Sequence, residues 1–183
     1  MNLLLIDLDD TLIDVSGFKK YLFSQLSQKC SIPEIESLKH YQTVKLLDRW
    51  PELFLNKLHE QYGMKVSELQ EIFSSCFSQL KLNEKTLTFL RNFEGKKYIF
   101  SFGTHDFQMQ KITYFHLEKE VDGILITLEN KADYLERFIK QNAVVIDNQR
   151  YSHVTMIDNK EELLEEVKKR FPWIQAHNVT DTV

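Results

Sequence analysis

Asp7 and Asp9 stand two apart at the end of the run Leu3-Leu4-Leu5-Ile6-Asp7-Leu8-Asp9-Asp10-Thr11-Leu12. On an extended chain that spacing puts both carboxylates on one side. Two like charges so close raise the pKa of one of them or call for a cation between them. Either outcome serves phosphoryl chemistry. Asp7, held by a divalent metal, can attack phosphorus, while Asp9 with a raised pKa can protonate the leaving oxygen. Magnesium is the cation expected where carboxylates meet phosphate oxygens, because it prefers hard oxygen ligands. A lone Asp-x-Asp is more often only a polar strand end.

Three further predicted strand ends carry groups that fit the same chemistry. Ser101 closes Tyr98-Ile99-Phe100-Ser101, and its hydroxyl can hydrogen-bond a phosphoryl oxygen. Gly103 follows, letting the backbone approach a ligand closely. Lys131 opens a helix after the next strand, where its ammonium can neutralise nucleophile and phosphate together. Asp147 closes Val144-Val145-Ile146-Asp147 and can complete a metal shell. His105 and Asp106 read as a helix start, enriched as such residues are at caps. Trp50, Phe54, Tyr62, Phe73 and Phe77 recur at helical spacing and read first as core.

The elements that must position these groups follow from periodicity. The apolar burst before Asp7 reads as a buried strand, and ligands of open α/β sheets sit at such carboxyl ends. From Thr11 to about Phe93 the apolar spacing is three and four, which predicts helices. After Gly95, strands alternate with helices, the mark of parallel βαβ construction. The predicted strands are Lys97 to Ser101, Val121 to Thr127, Ala143 to Asp147 and Val154 to Ile157. The predicted helices are Asp106 to Phe115, Lys131 to Gln141 and Glu161 to Phe171, with a loosely attached tail after Trp173. The fold class is therefore α/β, a Rossmann-like parallel sheet flanked by helices, interrupted by an all-helical insertion. The divisions are 1–14 plus 83–183 for the sheet core and 15–82 for the insertion, which leaves directly beneath the acidic cluster and is placed to cover it.

A net charge of −4 from 23 basic and 27 acidic residues argues against a nucleic-acid binder. The hydrophobic share of 43% supports one well-packed core. The N-terminal apolar run is far shorter than the roughly 20 residues a helix needs to cross a bilayer. Cys30 and Cys76 lie in helical stretches and point to a reducing, cytoplasmic interior with no membrane partner.

Asp7-Leu8-Asp9-Asp10-Thr11-Leu12 resembles the first motif, Asp-x-Asp-x-Thr-Leu, of the haloacid dehalogenase-like (HAD) superfamily of hydrolases, and Ser101, Lys131 and Asp147 resemble its second, third and fourth motifs in order and spacing. The resemblance covers nearly the whole chain and points to the phosphatase type with a helical C1-type cap. It implies an aspartyl-phosphate on Asp7, Asp9 as acid and then base, and phosphate binding by Ser101, Phe102 and Lys131. It also implies Mg2+ held by Asp7, the Asp9 backbone carbonyl and Asp147. The superfamily's dehalogenases lack the acid at Asp9, which favours phosphoryl chemistry. Phe102 stands where many relatives have asparagine, and Asn148 where an acidic residue is frequent. The implied activity is a phosphatase acting on a small phosphorylated metabolite. The alternatives are a phosphomutase of the same family, a degenerate member that only binds, and, less favoured, a receiver-like signalling domain.

Overall fold

The computed structural model describes residues 1–182. In chain order its elements are β1 (Asn2–Ile6), β2 (Ile13–Asp14), α1 (Ser16–Cys30), α2 (Glu34–Val44), α3 (Trp50–Tyr62), α4 (Val66–Ser75), β3 (Lys81–Leu82), α5 (Glu84–Asn92), β4 (Lys96–Phe102), α6 (His105–Tyr114), β5 (Gly123–Thr127), α7 (Lys131–Glu136), β6 (Val144–Ile146), β7 (Gln149–Tyr151), β8 (His153–Asp158), α8 (Glu161–Arg170) and β9 (Ile174–Asn178), with short 3-10 turns between some of them. Five strands form a parallel sheet in the order β5-β4-β1-β8-β9. The expected Rossmann-like α/β class is the one observed.

Leu3, Leu4, Leu5 and Ile6 are all fully buried because β1 is the central strand and helices cover both faces. Leu4 and Ile6 join Ile99, Ile157 and the helices α5 and α6 in one core. Leu3 and Leu5 join Tyr98, Phe100, Val154 and Met156 against α7 and α8 in the other. From β1 the chain builds outward through β4 and β5, then returns to build the other half through β8 and β9. The order therefore reverses between β1 and β8, which places a crevice at their carboxyl ends.

Helices α1 to α4 lie between β2 and β3, which pair with each other antiparallel through Ile13↔Leu82 and Asp14↔Lys81. The helical segment thus leaves and returns at one point beside β1. Its aromatics do form core, as their spacing indicates. Phe107 of α6 inserts among Phe18, Trp50, Phe73 and Phe77, with ring centroids 4.8 to 6.2 Å apart and mostly edge-to-face.

Two expectations are corrected. The stretch at Ala143 to Asp147 is not a strand of the parallel sheet: β6 pairs antiparallel with β7 around a two-residue turn at Asp147-Asn148. Both turn residues have positive φ, 51° and 62°, the conformation a two-residue hairpin of matching twist needs and one that Asp and Asn tolerate. The chain after Trp173 is not loosely attached either. It forms edge strand β9, whose Ile174 and Ala176 are buried beside β8. Ile174→Ala is therefore expected to lower unfolding free energy by about 2–4 kcal/mol. Urea denaturation checks this, and a loss within about 0.5 kcal/mol would instead mark a tail that contributes nothing.

Candidate active site

The chain leaves β1 at Ile6, but the Asp7 N–H still donates to the Ile157 carbonyl at 2.9 Å, which keeps Asp7 level with Asp158 at the end of β8. Side chains alternate along a strand, so Asp7 continues the face of Leu3 and Leu5, and Asp158 that of Val154 and Met156. The two carboxylates consequently face α7. Asn130 caps that helix by accepting from the Ala132 N–H at 2.7 Å, which presents Lys131 as its first residue. Lys131 Nζ donates to Asp7 Oδ1 at 2.5 Å and to Asp158 Oδ2 at 2.7 Å, with the Phe100 ring 5.4 Å away.

All three charged groups are buried. Burial pushes the Asp7 carboxyl up to about 6, against the lowering pull of Lys131, with Asp158 adding to the rise. Burial also presses on Lys131, but its two carboxylates outweigh that and hold the ammonium above its usual range. Asp7 Oδ2 has only a 3.3 Å contact from the Thr11 hydroxyl and is the freer oxygen.

The Asp9 side chain is met by a different lysine from the one that meets Asp7. Both Asp9 oxygens accept from Lys111 Nζ of α6 at 2.5 Å. Ser101 is buried, and its Oγ accepts from Gln108 Nε2 at 2.6 Å, so the hydroxyl proton is left for another acceptor. The same amide nitrogen reaches the Phe102 carbonyl at 3.0 Å and Asp9 Oδ2 at 3.4 Å. Gly103 is required here: a Cβ would stand 2.9 Å from the Gln108 side chain. Asp10 has φ 56° and is a loop residue whose carboxylate accepts from the Val15 N–H.

Asp147 is not part of this group. Its carboxylate accepts from the Tyr98 hydroxyl at 2.9 Å, in the hairpin turn. The carboxylate that faces Asp7 is Asp158, so the metal-ligand expectation for Asp147 is corrected on geometry. Asp158, Lys111 and Gln108 were missed. Asp158 ends a correctly placed strand and keeps its alternation, a signal present in the sequence. Lys111 and Gln108 carried none beyond their i,i+3 spacing on one helix. An open cleft of 550 Å3, lined by Phe102, Asn130, Lys131, Lys160 and acidic residues of α8, leads to this group, with Lys160 Nζ 5.3 Å from the Phe102 ring centroid.

No family model matches the chain, and no curated protein matches it. Solved structures do. A protein assigned as a haloacid dehalogenase-like hydrolase from Burkholderia xenovorans matches with TM-score 0.68 at 19% identity, over 96% of this chain and 82% of that one. The fold is the haloacid dehalogenase-like one. A protein from Thermotoga maritima assigned as a β-phosphoglucomutase matches this chain with TM-score 0.58 at 18% identity, over 95% and 84%. The HAD-hydrolase assignment YfnB of Bacillus subtilis, solved bound to magnesium, matches with TM-score 0.54 at 15% identity, over 87% and 80%.

Among the described residues, no three acidic, histidine or cysteine side chains form a ready metal cage. The donor chemistry nevertheless fits a hard cation. Asn159, which follows Asp158, has a buried Oδ1 with no hydrogen-bond partner, and Asp7 Oδ2 is weakly engaged. These are oxygen donors of the kind Mg2+ takes.

Removing Lys131 leaves two carboxylates buried without a counter-charge. Lys131→Met is expected to cost about 3–5 kcal/mol of stability. Asp147→Asn keeps both the turn conformation and an acceptor for Tyr98, and is expected to change stability by less than about 1 kcal/mol. Denaturant melts of the two variants give the comparison, and equal losses would contradict this ordering.

Proposed function

We propose that the chain hydrolyses phosphomonoesters of small metabolites through an aspartyl-phosphate on Asp7. The observation that carries this reading is the buried Lys131 between Asp7 and Asp158 at the sheet's reversal point, with Asp9 and the Ser101 hydroxyl on adjoining segments. An anionic nucleophile must meet an anionic phosphoryl group, and the Lys131 ammonium lowers that repulsion. Asp7 Oδ2 forms the bond to phosphorus as the bond to the leaving oxygen breaks. Ser101 donates its hydroxyl proton to a phosphoryl oxygen, and the Phe102 backbone borders the same space. Asp9 delivers a proton to the leaving oxygen, then takes one from the water that cleaves the Asp7–phosphorus bond.

Mg2+ would be held by Asp7, the Asp9 backbone carbonyl, Asp158 and the Asn159 side-chain oxygen, and would neutralise phosphoryl charge. Support for it is the unpartnered Asn159 acceptor, together with the magnesium in the YfnB structure. Asn148 lies in the hairpin turn and has no bearing on that site. Helices α1 to α4 act as the cap, excluding bulk water over Asp9. A small phosphorylated substrate is the only partner this reading requires, and the free thiols of Cys30 and Cys76 fit a reducing compartment such as the cytoplasm. Among the described residues no helix is long and apolar enough to cross a membrane.

A phosphomutase would share every step but the last, and the Thermotoga maritima neighbour bears that assignment. Product analysis with sugar phosphates separates transfer from hydrolysis. The expected result is hydrolysis of an aryl phosphate that requires Mg2+, falls to background in Asp7→Asn and drops about 10²–10⁴-fold in Asp9→Asn. Metal-independent turnover, or full activity in Asp7→Asn, would overturn the reading.

A further inference from the structure

Among the described residues, five of the eight large apolar side chains that stay exposed are Ile35, Leu38, Leu46, Leu47 and Leu53. They belong to α2, the turn after it and the start of α3, so the exposure is concentrated on one side of the helical segment. The two faces of α2 explain it. Ser37 and Val44 are buried, and the Tyr41 ring packs edge-to-face on Phe23 and Trp50. At 3.6 residues per turn, Ile35, Gln42 and Leu46 fall on the opposite side, with Lys39 beside them and Leu38 on one flank. Lys57 of α3 donates to the Thr43 hydroxyl at 2.9 Å, which holds Leu53, one turn before it, at the same outer surface. A single exposed leucine is ordinary, but a group of them on one face marks a surface that another chain covers.

The order of residues along this face specifies which chain. Ile35 and Leu46 stand about three helical turns apart, with Lys39 and Gln42 between them. When a second copy is laid antiparallel on α2, Ile35 of each copy meets Leu46 of the other, once at either end. On one flank Glu34 then meets Lys45 of the other copy. Neither of these two has an ion-pair partner in its own chain among the described residues, whereas Lys39 at the centre is already matched by Glu36 at 2.7 Å. The acidic start and basic end of α2 therefore become complementary under a two-fold axis, as an isologous contact requires. A different protein would need the same polarity by coincidence; a second copy has it by symmetry.

We propose that the outward face of α2, extended by Leu46, Leu47 and Leu53, is a homodimer surface on which two copies pack antiparallel. Closing it removes the apolar group from water and leaves two Glu34–Lys45 pairs at the rim, where charge sets register more than affinity. The proposal does not depend on the phosphatase reading.

Sedimentation equilibrium of the whole chain at low salt is expected to show the mass rising from one chain to two with concentration. Leu46→Glu is expected to raise the dimer dissociation constant at least about tenfold. Glu34→Lys and Lys45→Glu each set like charges against one another across the axis, and each is expected to raise the constant severalfold; the double variant restores the pairing and the affinity. Circular dichroism checks that every variant is folded, and if Leu46→Glu is not, the charge exchange decides alone. A single-chain mass at every concentration overturns the proposal. A dimer indifferent to folded Leu46→Glu overturns it too, as does a double variant no tighter than its two parents.

Discussion

The Lys131 ammonium, buried between Asp7 and Asp158, is the constraint on which the rest of the structure depends. Two carboxylates cannot be held out of water at the end of a packed sheet without a counter-charge in hydrogen-bonding contact. Meeting that demand requires β1 and β8 to be neighbours in register, α7 to begin where it does, and Asn130 to cap it. A one-residue slip of β8 would turn Asp158 into the opposite core and strand both Asp7 and Lys131. The pairing of Ile6 with Ile157 is thus tied to electrostatics as well as to packing.

A second buried ammonium divides the labour. Lys111 holds Asp9, so two carboxylates only two residues apart belong to different helices, α7 for one and α6 for the other. Phe107, one turn before Lys111, carries α6 into the aromatic cluster of the helical segment. Packing of that segment and the position of Asp9 are therefore linked through one helix. Gln108, between them in sequence, ties the same helix to Ser101, and Gly103 is small because Gln108 occupies the space its side chain would need.

Much of this was readable beforehand, for identifiable reasons. The continuous apolar run Leu3 to Ile6 can only be a strand covered on both faces, and the change to helical spacing after Thr11 marks the insertion. Asp7, Ser101 and Lys131 lie where the sheet edge was expected. The failure at Asp147 is equally specific. The chain contains Ile6-Asp7, Ile146-Asp147 and Ile157-Asp158, three similar endings to apolar stretches. Local pattern ranks them alike, although Asp147-Asn148 followed by another short strand also carries the composition of a two-residue hairpin turn.

The sequence by itself determined the class of the sheet, the helical interruption and the nucleophile candidate at Asp7, because these depend on periodicity and on short runs whose environment is uniform. Tertiary structure alone decided which acid faces Asp7, which cation holds Asp9 and that β9 closes the sheet. Those outcomes depend on pairings between residues up to 124 positions apart. No local preference encodes such contacts; they are selected by the requirement that every buried charge find its partner when the strands pack together.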